Sequence, residues 1–78
     1  MQRMGWKERV SIDPDLRHGE PCIRDTRIPV AVIVGSLADG LTEEEIRKAY
    51  PQLTPEDIRA ALAYAAEVVR FEALVPLP

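Results

Sequence analysis

The stretch Leu41-Thr42-Glu43-Glu44-Glu45-Ile46-Arg47 returns twelve residues later as Leu53-Thr54-Pro55-Glu56-Asp57-Ile58-Arg59. In each copy a threonine stands where a helix N-cap belongs. Acids follow in the first turn, where the helix dipole favours negative charge. Thr42 and Glu45 have capping-box spacing, and Leu41 with Ile46, like Leu53 with Ile58, can staple the entering chain. A period of twelve is too short for a solenoid unit, so the two copies mark two helix starts.

Working outward, Pro51 stops the first of these helices near Ala49 or Tyr50. The second runs on through Ile58, Ala61, Leu62, Ala65, Val68 and Val69 at helical spacing. Upstream, Pro29 suits a first helical position. Val30, Ile33, Val34, Leu37 and Ala38 form an apolar stripe, and Gly40 is placed as a left-handed terminator. Gly35 inside that helix suggests close approach of another backbone. Before Pro29, turn-formers punctuate Val10-Ser11-Ile12, Cys22-Ile23 and Arg27-Ile28, which reads as two or three very short strands. Such a ribbon must rest on the helices.

The expected fold is mainly α: a short N-terminal β-hairpin over residues 9–28, then helices at about 29–39, 43–50 and 55–72. The last two stand in helix-turn-helix relation. Residues 1–8 are read as an N-terminal arm and 73–78 as an apolar tail, around one domain at 9–72.

At 78 residues the chain has little interior, and such domains gain margin from disulfides, metals or self-association. One cysteine, Cys22, excludes an internal disulfide, and with His18 it falls far short of a zinc site. A second subunit or a partner protein remains. The expected dimer or partner surface is the third helix and its extension: Leu62, Ala66, Val69, Phe71, Leu74, Val75 and Leu77. No apolar run reaches membrane-span length, and residues 1–9 lack the apolar middle of a signal peptide. A cytoplasmic protein is expected, with no cofactor, no metal and no small-molecule substrate.

The net charge of −3 is uneven. Residues 31–78 carry Arg47, Lys48, Arg59 and Arg70 against eight acids, so general attraction to phosphate backbones is absent there. DNA contact, if made, falls to Lys7, Arg9, Arg24 and Arg27, with Arg59 the one strong base reader early in the third helix. The alternative for Arg27 is an ion pair with Asp25, Asp13 or Asp39 that ties the hairpin to the helices. His18 and Cys22 lack an oxyanion hole or a supporting acid–base pair, which argues against an enzyme. Cys22 reads as a small buried apolar residue.

Several segments resemble the domain-of-unknown-function family 433: Ile12-Asp13-Pro14, His18-Gly19-Glu20-Pro21-Cys22-Ile23, Thr26-Arg27-Ile28-Pro29-Val30, Leu37-Ala38-Asp39-Gly40 and Tyr50-Pro51-Gln52-Leu53-Thr54. The likeness runs from about Val10 to Phe71. Asp25 departs from it, since the family often has glycine before Thr-Arg; both residue types tolerate a left-handed backbone. That family is similar to VapB-type antitoxins, is often encoded beside a PIN-like ribonuclease toxin, and is grouped with homeodomain-like folds. The resemblance implies a small regulator or antitoxin; with the surplus apolar surface, the expectation is a non-enzymatic homodimer that neutralises a PIN-like toxin, with its own operator DNA as an optional further partner. The alternatives are a stand-alone DNA-binding regulator and a protein-only structural adaptor.

Overall fold

The structure is a computed structural model and describes residues 5–15 and 19–72. His18 and the tail at 73–78, with Leu74, Val75 and Leu77, lie outside the described residues. A 3-10 turn (Trp6–Glu8) leads into β1 (Val10–Ser11), which pairs antiparallel with β2 (Cys22–Ile23) in the register Val10 to Ile23 and Ser11 to Cys22. Three helices follow: α1 (Val30–Ala38), α2 (Glu43–Ala49) and α3 (Pro55–Glu72). The mainly α fold with a short N-terminal hairpin is therefore as expected, and the helix bounds fall within a residue of those read from the sequence.

The ribbon is closed by local hydrogen bonds. Ile23 N–H donates to Ile28 O at 2.9 Å, and Cys22 bridges to Pro29. The intervening turn puts Asp25 at φ 64°, the left-handed conformation that aspartate accepts more readily than most side chains. Thr26 secures that turn: its hydroxyl donates to Ile23 O at 2.7 Å and accepts from Ile28 N–H at 3.0 Å.

The helix ends follow the sequence signals. Gly40 takes φ 94°. Leu41 N–H then donates to Ser36 O, and Gly40 N–H to Leu37 O, both at 3.0 Å, the paired bonds of a Schellman ending. Thr42 and Glu45 form the reciprocal capping box at 2.9 and 3.1 Å. Pro29 sits one position earlier than expected, as the extended N-cap of α1, and Val30 N–H donates to Pro21 O. Gly35 is the correction. It is exposed, and a Cβ added there would meet nothing within 4 Å, so no neighbouring backbone requires it.

One core joins the ribbon to all three helices. Val10, Ile23, Ile28, Val30, Ile33, Ile46, Leu53, Ile58, Ala60 and Ala61 are buried together. Cys22 is also buried, and its thiol donates to Glu20 O. Within the stretch read as an arm, the 3-10 turn packs on α3. Trp6 meets the Tyr64 ring edge-on at 4.8 Å between centroids, and its Nε1–H donates to Glu67 Oε2 at 2.8 Å.

Candidate functional site

Two of the five basic residues expected to reach DNA are engaged in holding the fold. The Arg24 guanidinium donates from Nε to Glu8 O at 3.0 Å, and from Nη2 to Lys7 O at 3.1 Å and Val10 O at 3.3 Å. It ties the hairpin turn to the carbonyl groups around the 3-10 turn. Arg9 Nη1 lies 3.1 Å from Asp57 Oδ1, a part-buried ion pair that joins the ribbon to α3. Lys7 Nζ stands 5.9 Å from the centroid of the Trp6 ring, within cation–π range.

Arg27 and Arg59 are exposed, and among the described residues neither holds an ion pair. The pairing of Arg27 with Asp25, Asp13 or Asp39 is thus not found among them. Arg24 and Arg27 do share one open depression of about 750 Å³, whose walls also include Ser11, Asp13, Asp25 and Thr26. Lys7, Arg9 and Arg59 are not among its lining residues. Two arginines facing two aspartates make it polar without making it strongly cationic.

Asp57 does more than the sequence reading gave it. It is only 8% exposed. Its Oδ2 accepts from Thr54 N–H at 3.0 Å, while its own N–H donates to Thr54 Oγ1 at 3.1 Å. This is a second reciprocal cap, at α3. The other oxygen receives Arg9, so one carboxylate closes a helix end and anchors the ribbon. The Thr54-x-x-Asp57 spacing was the available signal; the link to Arg9, 48 residues away, left none.

The apolar candidates separate into two faces. Leu62, Ala66 and Val69 are exposed on α3 at spacings of four and three, which sets them on one side of the helix. Beside them runs a groove of about 240 Å³ between α1 and α3, lined mainly by Val30, Ala31, Val34, Ala65, Val68 and Val69. Phe71 is 72% exposed but belongs to a different side. It continues the row of Tyr64 and Glu67, against which Trp6 packs.

A family model described as "Protein of unknown function (DUF433)" matches residues 10–65. The chain belongs to the DUF433 family. Its matched region holds both strands, α1, α2 and α3 as far as Ala65. A curated relative is "Uncharacterized protein y4eO" of Sinorhizobium fredii (strain NBRC 101917 / NGR234), 41% identical over 59 residues. That match covers 76% of this chain and 27% of the relative. A crystal structure of a DUF433 member protein from Anabaena variabilis ATCC 29413 superposes with a TM-score of 0.72 at 37% identity. It covers 76% of this chain and 58% of that one. The chain therefore spans about a quarter of the first relative and under two thirds of the second. Among the described residues of this DUF433 chain, no helix is long and apolar enough to cross a membrane, and no group of three His, Cys, Asp or Glu could hold a metal ion.

Proposed function

We propose that this DUF433 chain is a non-enzymatic, antitoxin-like regulator of the cytoplasm that acts as a homodimer and neutralises a PIN-like ribonuclease. The observation that carries the reading is the uncovered apolar surface of α3 and the α1–α3 groove, where Val69 is 61% and Leu62 44% exposed. Covering such side chains contributes roughly 1.5–3 kcal/mol each in transfer terms, less the cost of ordering both partners. The excess acid of residues 31–78 suits a basic nuclease cleft.

Operator binding, through a helix-turn-helix use of α2 and α3, is the second part of the proposal. Arg9 and Arg24 are engaged within the fold, so Arg27, Lys7 and Arg59 would carry it. A stand-alone DNA-binding regulator is the alternative, favoured by Arg27, which lines the polar depression and holds no ion pair among the described residues. A structural adaptor would bind protein alone.

The test is a neutralisation assay. Tagged chain drawn from its native cells should bring down a PIN-like ribonuclease, and excess purified chain should stop that enzyme cutting RNA. Val69→Asp should abolish the inhibition while leaving circular dichroism unchanged. A folded Val69→Asp chain that still neutralises fully would remove the groove from the proposal. DNA affinity that falls steeply with salt, and falls again on Arg27→Ala, would favour the stand-alone regulator.

A further inference from the structure

On α3, Glu56, Arg59, Ala63, Glu67 and Arg70 fall within about 80° of one another at 100° per residue, forming one face beside Leu62. Read along the helix, that face runs acid, base, small, acid, base. Arg59 and Glu67 lie four residues to either side of Ala63, and Glu56 and Arg70 lie seven to either side. Reversing the helix about Ala63 therefore lays each acid on a base.

Among the described residues Glu56, Arg59 and Arg70 hold no ion pair within the chain. Glu67 has one oxygen held by Trp6 Nε1 at 2.8 Å, which fixes the carboxylate and leaves its second oxygen to accept. Ala63 at the centre has no bulk to hold a second helix off. Leu62, 44% exposed, lies one residue from the axis on the neighbouring edge of the helix. In a two-fold antiparallel pair, like edges meet, so Leu62 would pack against Leu62 of the second copy.

We infer that a second copy of this chain docks α3 against α3, antiparallel, with the two-fold axis at Ala63. Glu56 then faces Arg70 of the second copy and Arg59 faces Glu67 of the second copy, each pair occurring twice. A parallel pair in register would set every charge on its like, so charge selects the direction as well as the register. This rests on the homodimer reading above and adds the face, the direction and the alignment. The α1–α3 groove stays open for a different protein.

Sedimentation equilibrium on the purified chain tests this. Arg70→Glu turns two attractions into two repulsions and should weaken the dimer about tenfold. Glu56→Arg should do the same, and the two together should restore wild-type affinity. Ala63→Cys provides a second readout: Cys22 is buried, so diamide should link two chains through position 63 with helicity unchanged. A dimeric wild type with no rescue in the double variant and no link in Ala63→Cys overturns this interface and leaves the homodimer reading standing. A wild type that stays monomeric at millimolar concentration overturns both.

Discussion

In the first half of α3, Asp57, Ile58, Ala60 and Ala61 are each no more than 8% exposed, whereas in the second half Val68, Val69 and Phe71 are 37%, 61% and 72% exposed. Both halves are rich in apolar residues, so composition does not separate them. What differs is where the rest of the chain lies. The first half starts under the ribbon and is held there by Asp57, which caps the helix and receives Arg9. In the second half Trp6 covers the Tyr64–Glu67 side, and the Val68–Val69 side borders the open groove against α1. The buried anchor of the fold is in the first half, and the exposed apolar side chains gather towards the helix end.

Substitutions along the helix should therefore lose thermodynamic effect from start to end. Ile58→Ala removes a side chain that is 1% exposed and should cost about 2–5 kcal/mol, a large share of the stability of so small a domain. Urea denaturation measures it, and a loss under about 1 kcal/mol would erase the contrast between the halves. Asp57→Ala deletes a cap and strands Arg9, at about 2–3 kcal/mol by the same measurement. Arg9→Ala should account for part of that loss, and no loss at all would mean that the ion pair is idle.

Smaller effects sharpen the picture. Glu67→Ala leaves Trp6 without its acceptor and should cost about 1 kcal/mol. Trp6 is the sole tryptophan, so its emission should move to longer wavelength as the ring loosens. Away from α3, hydrogen bonds from the Thr42 backbone and then from the Thr42 side chain hold the Glu45 carboxyl below its ordinary pKa. Its folded pKa is depressed, so the stabilisation is present above the unfolded pKa and is lost as pH falls through the folded one. Glu45→Gln should flatten that acid limb of the stability curve slightly; an unchanged limb would assign it to other carboxylates. Val69→Asp should fall within about 0.5 kcal/mol of wild type in the isolated chain.

Local features of this fold were legible because their causes are local. The Thr42–Glu45 cap, the Gly40 ending and the left-handed Asp25 are each decided within a few residues. The links that position the candidate site were not. Arg9 with Asp57, Arg24 with the carbonyl groups of residues 7, 8 and 10, and Trp6 with Glu67 join positions far apart in sequence, beyond the reach of any local pattern. Charge counting therefore did not reveal that Arg9 and Arg24 also hold the fold together. Gly35 shows the opposite error. A costly residue suggested a tertiary reason, and the structure provides none there.

Cys22 is the lone thiol, and it lies buried in β2 of the ribbon. A thiol reagent can reach it only when the fold around it opens, so the labelling rate at this one atom is a clock for that opening. Timed mass spectrometry would read that clock without any probe being installed. It would also show whether an added protein slows the opening from a site that does not touch the sulfur.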